Sequence, residues 1–300
     1  MVEIRRALLF VNAHKEAAPL LAEAIKGELA SLGIACDFYP FEGLNVPAGD
    51  PLPFPSTEER PLLKDRRDAD LAFSLGGDGT VLLAARTIAH LGIPIFPINI
   101  GTLGFIAVVH PNEWRMTFQD WRRGTAGISR RLMLEVAVER EGKTLIHASS
   151  LNDAVISASG IAKIIRLEVH CDSMNLGHYR SDGLIVATPT GSTAYSVAAG
   201  GPILDPEMEA LIINPICPFT LSNRPMVVPA TETVIVEVEA EQRSGVLLTL
   251  DGQVTEKLEV GDRVLIRKAP YEARIIASGR KGFYNALQTK LNWSPGSPHA

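Results

Sequence analysis

The chain is 300 residues long with 46% hydrophobic content, enough for a large core and, at ~100–200 residues per domain, about two domains. A net charge of −5 with both signs interspersed leaves no basic footprint for nucleic acid, and no apolar run reaches the ~20 residues of a membrane span. Three scattered cysteines (Cys36, Cys171, Cys217) and an N-terminus without a signal-peptide core point to a soluble, cytoplasmic protein with neither a disulfide framework nor a zinc site.

Ala7–Asn12 is a continuous apolar run, as in a strand buried on both faces. A helix is predicted from near Pro19 to Leu32, with Leu20, Leu21, Ala24, Ile25 and Leu29 at helical spacing and Gly33 just past its end. Ile34–Tyr39 is a second strand. Pro47–Pro61 carries five prolines and reads as a loop. Leu71–Leu75 is a third strand, Thr80–Leu91 a helix ended by Gly92, and Ile93–Asn99 a fourth strand whose Pro94 and Pro97 place it near an edge or a break. Strands alternating with helices imply a parallel sheet with right-handed crossovers.

From about Ser129 the period becomes two, as in Leu132, Leu134, Val136, Val138 and in Val234, Val236, Val238. Leu151–Ser157, Ile164–Cys171, Leu184–Thr188, Val246–Leu250, Arg263–Lys268 and Ala273–Ala277 are further strands, separated by turn signals at Glu141-Gly142, Asp251-Gly252 and Gly261-Asp262. A short helix starts near Gly191. Phe283–Trp293, with Phe283, Leu287 and Leu291 four apart, is a helix expected to pack back on the first domain.

Three segments carry chemistry. The first is Gly76-Gly77-Asp78-Gly79-Thr80, where an apolar strand stops at two glycines and a helix follows. Amides at a helix start favour bound phosphate, and open α/β sheets place ligands at the carboxyl ends of strands. The alternative is a tight turn with an N-capping Asp. The second is Asn152-Asp153 ahead of an apolar strand: Asn can pair with an adenine edge and a carboxylate can accept from ribose hydroxyls, although such residues also simply form turns. The third runs from Arg180 and Asp182-Gly183 through an apolar strand to Thr188-Pro189-Thr190-Gly191-Ser192-Thr193-Ala194-Tyr195-Ser196 and Gly200-Gly201. Small hydroxyl residues at a strand-to-helix junction leave room for a planar ligand, and Tyr195 offers an aromatic face; an ordinary capped helix is the alternative. His90 fits a helix C-terminus, and His147 and His170 read as structural strand residues.

Taken together, these segments resemble the signatures of the NAD kinase family, whose members phosphorylate NAD to NADP, and the likeness continues through Pro215-Ile216-Cys217-Pro218 and Asp251-Gly252-Gln253. The resemblance implies an α/β plus all-β fold: a Rossmann-like N-terminal domain with a parallel sheet (1–125), a β-rich, β-sandwich-like NAD-binding domain (126–278), and a C-terminal segment (279–300) returning to the first, with the active site between the domains. It implies Asp78 as catalytic base. It implies dinucleotide contacts at Asp78, Gly79, Asn152, Asp153, Lys163, Arg180, Asp182, Thr193, Ala194, Tyr195, Ser196, Val197, Ala198 and Gln253. Asp153 stands where many relatives have Glu. Implied as well are Mg2+ or another divalent cation, ATP or polyphosphate as phosphoryl donor, NAD as acceptor, and a homodimer or homotetramer. Two rivals share the first signature: a lipid kinase acting on diacylglycerol or sphingosine, against which the hydroxyl cluster and acidic balance count, and a catalytically silent NADP-binding regulator.

Overall fold

The structure, a computed structural model, describes residues 2–41, 68–160, 164–220 and 223–291. The proline-rich loop Pro47–Pro61 and Lys163 lie outside the described residues. The chain divides into two compact units, one comprising the described residues before Leu132 and those from Ala273 onward, the other Leu132–Glu272.

In the first unit, strands β1 (Arg6–Asn12), β2 (Ala35–Phe41), β3 (Leu71–Gly76) and β4 (Ile95–Asn99) form a parallel sheet in the order β2-β1-β3-β4. All of β3 and β4 and the centre of β1 are buried, which is why these strands read as unbroken apolar runs. The order reverses between β1 and β3, so the crevice outside their carboxyl ends is where such sheets bind ligands. β4 is an interior strand, and its far side is broken at Pro97: it meets the chain's last strand only at Ile275↔Ile95 and then bridges Val109 from Ile98. Proline has no N–H to give to the ladder there.

Helix α1 (Ala17–Ser31) starts two residues before the predicted Pro19 and buries Ala18, Ala22, Ile25 and Leu29, while Leu20 points outward at 77% exposure. Gly33 and Gly92 follow helical segments with φ of 73° and 71°, the left-handed turn that a glycine permits. The predicted helix Thr80–Leu91 is α2 (Asp78–Ile88) followed by a 3-10 turn at Ala89–Leu91. Helix α3 (Trp114–Arg123) was not among the predicted elements. Its Trp114, Phe118 and Trp121 fall on one face, joining Phe73 and Phe96 in an aromatic cluster with Phe73–Phe118 and Phe73–Phe96 ring centroids 5.6 and 5.2 Å apart. Helix α4 (Arg280–Lys290) buries Phe283, Ala286 and Leu287, with Phe283 6.3 Å from Phe105 between ring centroids; Leu291 lies past the helix end and is exposed.

The second unit is β-rich. It holds β5 (Ile128–Arg140) from Leu132 onward, β6 (Lys143–Ser150), β7 (Asp153–Ala158), β8 (Ile165–Cys171), β9 (Met174–Ser181), β10 (Gly183–Ala187), β11 (Ala210–Ile216), β12 (Met226–Pro229), β13 (Val234–Val238), β14 (Val246–Leu250), β15 (Val254–Leu258) and β16 (Arg263–Ile276) as far as Glu272. The sheet β12-β11-β10-β7-β14-β15 is antiparallel throughout. Leu134 and Val136 of β5, Leu167 of β8 and Val236 of β13 share one core with Ile156, Val186 and Leu248 of that sheet, the packing of a sandwich. Glu141 and Gly142, at φ 51° and 75°, make the tight β5–β6 hairpin turn. The two strands read at Arg263–Lys268 and Ala273–Ala277 are one, β16, continuous through Pro270. The strands β6, β9, β11, β12 and β15 were not predicted. No described helix is long and apolar enough to cross a membrane.

Candidate active site

At the carboxyl end of β3 the chain turns through Gly76 and Gly77 into α2, whose first residue is Asp78. A Cβ on Gly76 would overlap the Thr80 hydroxyl, so the tight strand-to-helix entry requires glycine there. Gly77, extended at φ −127° and ψ −163°, occupies the N-cap position, and no side chain caps the helix. Asp78 is therefore not an N-cap. Its carboxylate instead accepts hydrogen bonds from three successive backbone amides: Phe105 N–H to Oδ2 at 2.8 Å, and Ile106 and Ala107 N–H to Oδ1 at 3.1 and 2.8 Å. Residues 104–107 wrap the acid so closely that a Cβ on Gly104 would collide with it. A carboxylate offers about four acceptor positions. Oδ2, with one partner among these amides, is the oxygen able to accept another proton donor.

In the second unit a cavity of about 330 Å3 is lined by Asn152, Asp153, Val155, Ser157, Ala194, Tyr195, Thr249, Asp251 and Gly252. The turn between β14 and β15 bears Asp251 and Gly252 at φ 53° and 63°. The Asp251 carboxylate accepts the N–H of Leu151 at 3.1 Å, Asn152 at 2.7 Å and Asp153 at 3.4 Å, while its own N–H donates to Asp153 O at 3.1 Å. From the other side Thr188 grips the same segment, its hydroxyl donating to Leu151 O at 2.6 Å and its N–H to Asn152 O at 2.8 Å. Residues 151–153 are thus fixed from two directions. Asn152 Oδ1 is buried and has no hydrogen-bond partner among the described residues. Asp153 is 4% exposed; burial, and then the neighbouring charge of Asp251, push its carboxyl up to about 7.

Gly191 packs its Cα onto Asn152, and a Cβ there would collide with the Asn152 main chain. Backbone cannot yield as a flexible side chain can. Gly191→Ala is expected to destabilise the protein by about 1–3 kcal/mol, measured as a fall in melting temperature; an unchanged melting curve would show that residues 151–153 are not held as described.

A larger hollow of about 440 Å3, lined by Glu3, Arg5, Arg6, Ala35, Asp68 and Asp70, sits at the opposite ends of the parallel strands. Its charges pair with one another, Arg5 with Glu3 at 3.0 Å and Arg6 with Asp68 at 3.0 Å. Open α/β sheets place their ligands at the other, carboxyl ends of the strands.

Known proteins point the same way. Residues 21–125 match the ATP-NAD kinase N-terminal domain and residues 151–278 the ATP-NAD kinase C-terminal domain. The NAD kinase of Treponema denticola is 37% identical over 98% of this chain and 98% of its own length. The chain belongs to the NAD kinase family. As a member it is an enzyme, a kinase acting on NAD. The NAD kinase of Citrifermentans bemidjiense is 43% identical over 75% of this chain and 78% of its own. Among solved structures, the NAD kinase of Archaeoglobus fulgidus in complex with ATP superposes with a TM-score of 0.69 at 25% identity, covering 97% of this chain and 100% of that one. Yeast NADH kinase complexed with NADH shares the fold, with a TM-score of 0.79 at 21% identity over 100% of this chain and 91% of that one.

Of the residues that the NAD kinase likeness singled out, Asn152, Asp153, Ala194 and Tyr195 line one cavity, and Asp78 and Gly79 open α2. The expected short helix near Gly191 is two single turns, Gly191–Thr193 and Tyr195–Ala198, broken at Ala194 (φ −98°, ψ −126°). The Thr188 hydroxyl accepts the N–H of Gly191 at 3.0 Å and so caps the first turn, while the later hydroxyls do not cap. Ser192 donates to Pro189 O at 2.6 Å and Thr193 to Thr190 O at 3.3 Å, closing turns on their own backbone. Ser196 accepts from Asn214 Nδ2 at 3.3 Å, Val197 is half-buried and Ala198 exposed, and Thr193, Ser196, Val197 and Ala198 are absent from the cavity wall. Arg180 is exposed, with its guanidinium 5.1 Å from the Phe219 ring. Asp182 and Gln253 are likewise not in the wall; Gln253 is buried, its N–H donating to Leu250 O at 2.9 Å. Sequence reasoning missed Asp251 as a ligand of three amides and residues 104–107 as the partner of Asp78. Asp251 was visible as a turn former and as part of the Asp251-Gly252-Gln253 likeness, and residues 104–107 carried no reading.

Proposed function

We propose that the chain transfers the terminal phosphoryl group of ATP to the 2′-hydroxyl on the adenosine ribose of NAD, giving NADP and ADP, with Asp78 as general base. Asp78 takes the hydroxyl proton on Oδ2, the ribose oxygen bonds to the γ-phosphorus, and the bond to the β-phosphate oxygen breaks. Such transfer depends on positioning and charge neutralisation more than on covalent help. Amides at the start of α2 favour anionic phosphate. Among the described residues no group of three or more His, Cys, Asp or Glu could hold a metal ion. A divalent cation on the nucleotide's phosphates, where Mg2+ is commonly held, would offset their charge.

One observation carries the choice of acceptor. The cavity wall brings together Asn152, Asp153 and the half-exposed ring of Tyr195, residue types suited to a base and its sugar. The test is NADP formation by the purified chain with NAD, ATP and Mg2+, followed through an NADP-specific dehydrogenase, with polyphosphate replacing ATP and diacylglycerol replacing NAD in parallel. Phosphorylation of the lipid without NADP formation overturns the reading. Tyr195→Ala is expected to raise KM for NAD roughly three- to tenfold with kcat little changed, the effect of one aromatic contact; an unaltered KM removes Tyr195 from the site.

A further inference from the structure

We propose that Ser278 and Arg131 are positioning residues for the phosphoryl transfer. A buried chain of hydrogen bonds runs from the Arg131 guanidinium through the Ser278 hydroxyl and the Ile106–Ala107 peptide to Oδ1 of Asp78, and it sets the carboxylate that acts as base. This rests on the function proposed above.

All these residues belong to the first unit, and those leading to Asp78 are shut off from water: Arg131, Ser278 and Ala107 are 1% exposed and Ile106 2%. Arg131 Nη2 donates to Ser278 O at 2.6 Å and to Ser278 Oγ at 3.1 Å. A guanidinium has donors only, so Oγ accepts in the second bond and its own hydrogen is left to donate. That hydrogen goes to Ile106 O at 3.2 Å. The Ile106 carbonyl shares its peptide unit with the Ala107 N–H, which donates to Asp78 Oδ1 at 2.8 Å. Drawing electron density onto the carbonyl oxygen makes the N–H across the peptide a stronger donor. Hydrogen bonds in series polarise one another in this way, most of all in a low-dielectric interior. Ile106 N–H, on the preceding peptide, lies 3.1 Å from the same carboxylate oxygen, and the longer contact agrees with that polarisation.

A buried guanidinium is costly to desolvate and stays protonated. A tie between β5 and the turn ahead of α4 needs only the bond to Ser278 O. The bond to the hydroxyl carries the cation's influence further, into the loop that grips Asp78. The serine is placed by its neighbours. Ala277 holds φ 57°, a left-handed conformation rare for a residue with a Cβ, its N–H donates to Gly127 O at 3.0 Å, and Gly279 is the N-cap of α4. α4 then packs Phe283 against Phe105 of the same loop. With Oδ1 held by two amides, Oδ2 stays available for the acceptor's hydroxyl.

The experiment is steady-state NADP formation by the full chain, with NAD, ATP and Mg2+, in a double-mutant cycle of wild type, Ser278→Ala, Asp78→Asn and the two combined. Ser278→Ala removes the hydroxyl and keeps the backbone oxygen that serves Arg131. It is expected to lower kcat about three- to tenfold, the loss of one hydrogen bond, with KM for NAD within about twofold. Neither Ser278 nor Arg131 lines the nucleotide cavity, so binding has no reason to change. On the Asp78→Asn background the same change is expected to alter kcat by less than about twofold, because its effect passes through the carboxylate. A serine that merely supports the fold would lower kcat equally on both backgrounds. That result overturns the proposal, as does an unchanged kcat in Ser278→Ala alone. Should Ser278→Ala not fold, Ser278→Cys, which keeps the bulk and weakens the donor, goes through the same cycle with the same expectations. The parent proteins separate the failures. A wild type that forms no NADP sinks the function, and near wild-type turnover by Asp78→Asn sinks the base assignment. An additive cycle built on an active wild type and an impaired Asp78→Asn sinks this inference alone.

Discussion

Asp78→Asn is expected to lower kcat by about 10²–10⁴-fold while NAD affinity stays within about threefold, the loss typical of a positioned base. The substitution keeps the size of the side chain and removes its capacity to take a proton. It also disturbs what the carboxylate holds. Oδ1 and Oδ2 accept from Phe105, Ile106 and Ala107, and an asparagine can offer only one oxygen to those three donors. One amide would then face an N–H2 group, a mismatch of about 1–3 kcal/mol that should appear as a lower melting temperature. Catalysis and loop anchoring are separable through Gly104→Ala, which keeps the acid but crowds it with a Cβ. Near wild-type turnover by a folded Asp78→Asn would remove Asp78 from the chemistry and leave it only the anchoring role.

The second large effect concerns stability. Asp153 has its carboxyl raised from 3.8 to about 7 in the folded protein. Between those values the folded chain holds a proton that the unfolded chain has released, so stability falls as pH rises and levels off above about 7. Each tenfold change in proton affinity is worth about 1.4 kcal/mol, so the penalty at high pH is about 4 kcal/mol. Asp153→Asn abolishes it. In urea unfolding without ligand, the variant's advantage over the wild type is expected to grow from about 1–2 kcal/mol near pH 5 to about 4 kcal/mol near pH 8. Equal stabilities at both values would mean that Asp153 is ionised in the folded state.

Both predictions turn on residues that the sequence marked but did not explain. β1 and β3 were legible because a strand covered on both faces must be apolar throughout, and the period of two in β5 and β13 announced antiparallel sheet. Helix α3 escaped because its burial rests on Trp114, Phe118 and Trp121 alone, set among polar residues. β9 escaped because it is largely exposed, so no side of it had to be apolar. The shift of the buried face of α1 from Leu20 to Ala18 and Ala22 reflects the close approach of the helix to the sheet, which small side chains allow.

By itself the sequence determined the change from a helix-and-strand half to a strand-rich half, the glycines at Gly76 and Gly191, and the family to which the chain belongs, because these depend on local backbone geometry and on short motifs. The tertiary structure decided what the acids do. Asp78 meets amides 27 to 29 residues away, and Asp251 meets amides 98 to 100 residues away. Hydrogen bonding and desolvation act through space over a few ångströms, and separations along the chain carry no record of them.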